Sequence, residues 1–101
     1  MDILTIQRTP WGTVQYRELV ADGIVRVHTA GHGGLVLSDA RLRAMPTQFK
    51  LNAYGTGRYF EEDCEWALVV LAFPDEFTQQ QRDDAQETAN RYYPTLREVP
   101  A

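Results

Sequence analysis

The side chains best suited to catalysis in this chain are one thiol, Cys64, and two imidazoles, His28 and His32. A cysteine nucleophile needs an imidazole that activates the thiolate and donors that stabilise an oxyanion, for which the amides of Gly33 and Gly34 are candidates. Nothing in the spacing brings the thiol to an imidazole, and a small core residue is the alternative role of Cys64. Because no catalytic motif is complete, an enzyme that uses Cys64 with His32 is the alternative hypothesis and not the leading one.

Metal and cofactor binding have weak support in the sequence. His28 and His32 are four residues apart, which would align them on a helix, but their neighbours predict a strand and a loop. A lone cysteine cannot build a structural zinc site. The glycine-rich loop at residues 31–34 matches neither a Walker loop nor the dinucleotide fingerprint, so we interpret it as a bend, with a backbone-amide anion site as the alternative. We predict neither a cofactor nor a metal.

The most distinctive segment reads Tyr-Phe-Glu-Glu-Asp-Cys-Glu-Trp over residues 59–66, directly before the apolar run at residues 67–73. A helix dipole stabilises each carboxylate at its start by only about 0.3–1 kcal/mol, so four carboxylates exceed what a capped helix start, the alternative interpretation, requires. We interpret the excess charge beside aromatic side chains as a recognition surface. Trp11, in a Pro-Trp-Gly turn, is either a lid on the core or an exposed anchor of an interface. The predicted surface consists of Trp11, His32, Tyr59, Glu61, Glu62, Asp63 and Glu65.

The net charge of −4 hides an asymmetry between the two parts of the chain. Residues 1–58 carry seven Arg/Lys and four Asp/Glu, whereas residues 59–101 carry three Arg and ten Asp/Glu. An acidic surface repels phosphate backbones, so we expect no direct binding of nucleic acid. It suits a host protein or ribonucleoprotein with a basic surface, although solubility alone is the alternative explanation.

The bulk properties are those of one small globular protein. A length of 101 residues suits a single domain over residues 1–101, with a loose tail predicted at residues 95–101. The longest apolar run has eight residues, against about 20 needed to span a bilayer, and the N-terminus lacks the basic region of a signal peptide. A lone cysteine fits a reducing compartment. We therefore expect a soluble, cytoplasmic protein without a membrane partner.

Turn signals divide the first part of the chain into short strands. Apolar and β-branched residues predict strands at residues 3–7, 13–19, 24–29 and 35–37. Asp22-Gly23 is a dipeptide preferred in tight hairpin turns, so residues 13–29 are predicted to form a β-hairpin. The glycines at residues 31–34 predict irregular backbone, and residues 52–57 predict a loop.

Helix signals dominate the second part. Ser38 is a natural N-cap and predicts a short helix over residues 39–45. Thr78 begins a capping-box pattern and predicts a helix over residues 79–93.

The acidic segment predicts a further helix between these two. Glu61, Glu62 and Asp63 suit its first turn, and the helix would continue over residues 64–73 until Pro74 ends it; a buried strand at residues 68–73 is the alternative. Strands followed by helices predict an α+β fold, in which an antiparallel sheet of about three to four strands packs against one or two helices.

Four blocks of sequence carry a resemblance when they are taken together. They are Thr-Pro-Trp-Gly at residues 9–12, Ala-Gly-His-Gly-Gly at residues 30–34 with Leu37, Ser38 and Arg41 after it, Met45-Pro46, and the block at residues 59–74 that begins Tyr-Phe-Glu-Glu-Asp-Cys-Glu-Trp-Ala. Over about residues 8–94 the chain resembles an uncharacterised family of small domains found in phages, plasmids and integrated elements of bacteria. No catalytic residues are established for that family. The resemblance therefore implies only a context, an accessory protein of a mobile element, which is a class that includes inhibitors of host defence.

The leading hypothesis is a non-enzymatic phage or plasmid accessory protein that binds another protein and inhibits a host CRISPR or restriction complex. The carboxylates of the predicted surface would steer a basic partner, and Tyr59 and Trp11 would anchor it. A homodimer is a further option, because exposed aromatics or an unpaired edge strand would support one. The alternative is a small Cys/His-dependent hydrolase or transferase that acts on a host component.

Overall fold

The computed structural model describes the backbone of residues 2–52 and 57–98 and the side chains of residues 2–50 and 57–96. Its strands are β1 (Arg8–Thr9), β2 (Gly12–Thr13), β3 (Tyr16–Ala21), β4 (Ile24–His28), β5 (Gly33–Leu37) and β6 (Tyr59–Glu61). Its helices are α1 (Asp39–Ala44), α2 (Thr47–Asn52), α3 (Trp66–Ala72) and α4 (Gln79–Tyr92), with 3-10 helices at Pro74–Glu76 and Pro94–Glu98. The predicted α+β fold is confirmed. Among the described residues, none of the helices combines the length and apolar character needed to cross a bilayer.

The main sheet has the strand order β3-β4-β5-β6, and every neighbouring pair is antiparallel. Asp22 and Gly23 connect β3 to β4, and Gly23 has a positive φ of 83°, so the predicted hairpin is confirmed. β3 lies at one edge of the sheet, where Tyr16 and Leu19 are more than half exposed. Its pairing with β4 shifts in register between Leu19 and Ala21, which is a β-bulge.

The larger core lies between one face of this sheet and the helices α3 and α4. Residues 67–70 of α3 are almost fully buried, because this helix packs against both the sheet and α4. The capping box predicted at Thr78 and Gln81 starts α4, whose small residues Ala85 and Ala89 face the core. The sheet residues that face the helices are Ile24, Leu35, Leu37 and Phe60.

The N-terminal segment and the β1–β2 hairpin cover the opposite face of the sheet. Ile3, Ile6 and Trp11 pack there over buried valines of β4 and β5. The strand predicted at residues 3–7 is wrong, because Ile3 and Ile6 are buried against the face of the sheet and do not join its edge. Strand pairing begins only at Arg8.

The structure places Gly33 and Gly34 inside β5, so the irregular backbone predicted for them is wrong. A Cβ atom on Gly33 would lie 2.6 Å from the carbonyl oxygen of Val27, and one on Gly34 would lie 2.6 Å from the ring of Trp11 and collide with a carbonyl oxygen of β6. Real Cβ atoms do not approach other atoms so closely. These glycines therefore mark a close approach of Trp11 and of the neighbouring strands.

A second correction concerns the acidic segment. The helix predicted from Glu61 onward is wrong for residues 61–65, because Tyr59–Glu61 forms β6 and residues 62–65 form a turn. Phe60 faces the helices while Tyr59 faces the other side of the sheet, which is the alternation of a strand. Helix α3 begins at Trp66, so the helical interpretation is confirmed for residues 66–72 over the strand alternative.

Two predictions fall partly outside the described residues. Residues 53–56 of the predicted loop and residues 99–101 of the predicted tail lie there. The first part of that tail is ordered, because residues 94–98 form a 3-10 helix and Leu96 is buried in the core.

We expect Gly34→Ala to lower the free energy of unfolding by about 1–3 kcal/mol or more, since the added methyl group must displace Trp11 or β6. The matched control is Gly31→Ala, where a Cβ would meet nothing within 4 Å, and its effect should stay within about 0.5 kcal/mol. Urea unfolding of both variants measures the difference. Equal effects would contradict the proposed close approach.

Candidate protein-binding surface

Two connections meet at one end of the main sheet. β4 ends at His28 and β5 begins at Gly33, and β6 ends at Glu61, so the connection at residues 29–32 and the turn at residues 62–65 lie at the same end. The backbone N–H of Glu62 donates to the carbonyl oxygen of Gly33 over 3.0 Å and joins them. Sequence positions about 30 residues apart are thereby brought together.

Glu61 has an internal structural role at this end. Its carboxylate accepts hydrogen bonds from the backbone N–H groups of Asp63 at 2.8 Å, Cys64 at 2.9 Å and Glu65 at 3.2 Å. Burial acts to raise the pKa of Glu61, but these three donors outweigh it and hold that pKa below its ordinary value. The carboxylate predicted to bind a partner thus satisfies the backbone of the turn that precedes α3.

Glu65 is also engaged inside the protein. Its side chain is only 5% exposed, and the residue makes a further interaction within the chain. A buried carboxylate that is already engaged is poorly placed to meet a partner. Two of the four predicted acidic contacts, Glu61 and Glu65, are therefore engaged in contacts within the protein.

Glu62 and Asp63 are the two acidic residues of the turn that face solvent. Both are exposed, and within the described part of the chain neither carboxylate forms an ion pair. His32 is exposed in the adjoining connection, where its backbone is held by hydrogen bonds to Thr29. These three residues remain available to a partner at this end of the sheet.

The predicted aromatic anchors lie on the other face. Trp11 and Tyr59 contact each other edge to face, with ring centroids 5.8 Å apart, in the smaller core that the N-terminal hairpin covers. Trp11 also packs on Gly34. Both rings are half-buried and belong to that core, which matches the core-lid alternative for Trp11.

A small groove opens beside Glu62 on the helix-facing side of the sheet. Its volume is about 190 Å³. Arg26 on its floor forms an ion pair with Glu18 over 2.7 Å, and the ring of Tyr16 lies 5.6 Å from that of His28. The residues that line it are Arg26, His28, Gly34, Leu35, Glu62 and Trp66. We name it the Glu62 groove.

Sequence reasoning missed Tyr16, Arg26 and Trp66 as members of this site. One signal was present, because strand alternation places Ile24, Arg26 and His28 on one face of β4. On this face, which packs against the helices, the apolar Ile24 is followed by the polar Arg26 and His28. This change from apolar to polar indicates where the core ends and a solvent-facing site begins.

Cys64 is surrounded by partners other than histidine. The Tyr93 hydroxyl donates to its Sγ over 3.3 Å, and the thiol donates to Glu61 over 3.4 Å. Burial, together with the Glu61 carboxylate, raises the pKa of the Cys64 thiol, although the Tyr93 hydrogen bond acts in the opposite direction. Within the described residues, no hydrogen bond joins this thiol to His28 or His32. A buried thiol with a raised pKa lacks the activation that a nucleophile requires.

The side chains of the described residues contain no group of three or more His, Cys, Asp or Glu that could hold a metal ion.

A larger cavity, of about 560 Å³, lies elsewhere, between the N-terminal turn and the start of α1. Three of its polar side chains serve the fold: Asp2 accepts from the Leu4 N–H, Ser38 caps α1, and Arg41 donates to the carbonyl oxygen of Asp22.

Comparison with known proteins places most of the chain in one family. A protein-family model described as a domain of unknown function, DUF7007, matches residues 5–98. No significant match was found among curated proteins or among solved structures.

We expect Glu61→Gln to lower the free energy of unfolding at pH 7 by about 1 kcal/mol, as does the loss of a helix cap. The folded-state pKa of Glu61 lies below its ordinary value of 4.5. The ionised carboxylate therefore stabilises the folded protein fully above pH 4.5, and this stabilisation is lost as the pH falls through the folded-state pKa. The difference between wild type and variant should therefore shrink on acidification. Urea unfolding from pH 7 to pH 3 measures it.

Glu62→Gln is the matched control for Glu61→Gln, because the carboxylate of Glu62 has no partner among the described residues. This substitution should change the free energy of unfolding by less than about 0.5 kcal/mol. If both variants lose the same stability with the same pH dependence, the capping role of Glu61 is wrong.

A thiol-reactive dye should label Cys64 at least about a hundredfold more slowly in the native protein than in urea, because labelling requires a local opening of the core. The rate of absorbance change measures both reactions. Native labelling as fast as in the unfolded chain would instead favour the enzyme alternative with Cys64 and His32.

Proposed function

The chain belongs to the DUF7007 family, a domain of unknown function, and from its surface we propose that it acts by binding another protein and not by catalysis. The observation that carries this proposal is the pair of exposed carboxylates on Glu62 and Asp63, which form no ion pair with another described residue. Glu62 shares a groove with the half-buried Trp66. Charges of one sign steer an oppositely charged partner, and an adjacent aromatic provides an anchor. The partner is therefore a protein, or the protein part of a ribonucleoprotein, with a basic surface.

The position of the carboxylates supports a binding role over a purely structural one. The turn needs one carboxylate to satisfy its backbone, and Glu61 provides it. Glu62 and Asp63 then add two charges that stabilise no described contact of the fold. Adjacent like charges repel each other in the free protein, and a cationic partner relieves that repulsion.

The context of this binding comes from the resemblance to small proteins of phages, plasmids and integrated elements. We extend the proposal accordingly to an accessory protein of a mobile element that works in the host cytoplasm and inhibits a CRISPR or restriction complex. Such complexes hold nucleic acid on basic surfaces, and an acidic protein competes for those surfaces by charge. Direct binding of nucleic acid by the acidic rim is disfavoured for the same reason.

The enzyme alternative has no comparable support. It requires a thiolate at Cys64 beside an imidazole, whereas the thiol is buried, its pKa is raised and its hydrogen bonds go to Tyr93 and Glu61.

The double variant Glu62→Arg/Asp63→Arg tests the proposal. We expect it to fold normally and to associate with the captured partner at least about tenfold more slowly than wild type, because rim charges act mainly on the association rate. Pull-down from a bacterial lysate identifies the partner, and surface plasmon resonance at two salt concentrations then measures the rates.

The matched control is Asp83→Arg/Asp84→Arg on α4, which changes the net charge by the same amount at exposed positions outside the rim. The control should retain most of the association rate. An equal loss in both double variants would indicate a general charge effect, and an unchanged rate in the first would remove Glu62 and Asp63 from the interface.

A further inference from the structure

We propose that the Glu62 groove is a receptor for one arginine side chain of the partner protein. This inference rests on the proposed function and specifies which group of the partner the rim recognises.

The size of the groove fits one side chain. Its volume is about 190 Å³, whereas pockets for small-molecule ligands hold about 300–1,000 Å³. A flat interface would need no such recess, and a cofactor would not fit in it. An anchor residue that inserts from a partner surface is the occupant of matching dimensions.

The charge of the groove favours a cation. Arg26 is neutralised by its ion pair with Glu18, so neither of these residues contributes net charge. Glu62 is the one carboxylate in the lining and forms no ion pair with another described residue, and the exposed Asp63 follows it in the turn without lining the groove itself. An incoming cation therefore meets the carboxylate of Glu62 in the groove, while an incoming anion would be repelled by it.

Aromatic walls favour arginine over lysine. Trp66 lines the groove directly, and the tilted pair of Tyr16 and His28 borders it beside Arg26. A planar guanidinium stacks on aromatic rings and donates to a carboxylate at the same time, whereas a lysine ammonium is a compact point charge.

The protein contains an internal example of this combination. The guanidinium carbon of Arg41 lies 4.9 Å from the centroid of the Phe73 ring, and the same guanidinium forms an ion pair with Glu76. Trp66 and Glu62 likewise bring an aromatic side chain and a carboxylate to one groove, and the guanidinium of Arg26 in the same lining pairs with Glu18 and not with Glu62. The Arg41 site thus shows that one guanidinium in this fold meets a ring and a carboxylate at the same time.

The test uses N-acetyl-arginine amide as the probe, titrated into the full-length ¹⁵N-labelled protein at constant ionic strength. The two tryptophan indole N–H signals are the readout, because Trp66 lines the groove and Trp11 lies on the opposite face of the sheet. We expect a saturable shift of the Trp66 signal and a smaller one of the Trp11 signal, because Trp11 packs on Gly34 from the other face. Glu62→Gln should weaken the binding by up to about fivefold, and the control Asp84→Asn on α4 should leave it unchanged.

The neutral isostere N-acetyl-citrulline amide and the acidic N-acetyl-glutamate amide complete the experiment. Equal binding of the citrulline probe, a preference for the glutamate probe, or no saturable shift of Trp66 with arginine would each overturn the inference. The proposed function is judged separately by charge reversal at Glu62 and Asp63. If charge reversal abolishes partner binding while the arginine probe fails, protein binding stands and only the receptor role of the groove is lost.

Discussion

The hydrogen bonds of Glu61 determine where the rest of this surface lies. One carboxylate accepts three consecutive backbone N–H groups, and so fixes the turn that takes the chain from the edge of the sheet into the buried helix α3. Because that turn is fixed, Glu65 and Cys64 point inward and Glu62 and Asp63 point outward. A run of similar acidic residues thus divides into one that supports the backbone, one that is buried and two that face solvent.

Local signals in the sequence were sufficient for the fold class, the β3–β4 hairpin, the caps of α1 and α4 and the approximate position of α3. These signals gave the wrong secondary structure where the same residues are compatible with two different backbone conformations. Carboxylates that precede an apolar run suit the first turn of a helix, but a carboxylate at the end of a strand can cap the following turn equally well. Gly33 and Gly34 permit irregular backbone, yet here they are required by the approach of Trp11, which no local pattern reveals.

Local sequence signals could identify the acidic residues of the candidate site but not its aromatic residues. The acidic turn stands out in composition, so Glu62 and Asp63 could be found. The face on which each aromatic lies depends on strand register, and the bulge near Leu19 changes that register. A regular two-residue hairpin at Asp22-Gly23 would place Arg17 opposite His28, whereas the bulged one places Tyr16 there. A shift of one residue exchanges the faces of β3 and decides which ring borders the groove.

The edge strand β3 has a consequence for self-association. When two copies of an edge strand pair antiparallel about a two-fold axis, each residue lies opposite a residue whose side chain is on the same face of the sheet. The residue at the axis therefore lies opposite its own copy. A register centred on Arg17 or on Glu18 therefore sets like charges against each other, which is destabilising. A register centred on Leu19 avoids this, but its ladder runs into the bulge that follows. The order of charges along β3, together with the bulge, therefore disfavours the registers centred on Arg17, Glu18 and Leu19 if a second copy pairs at this exposed edge.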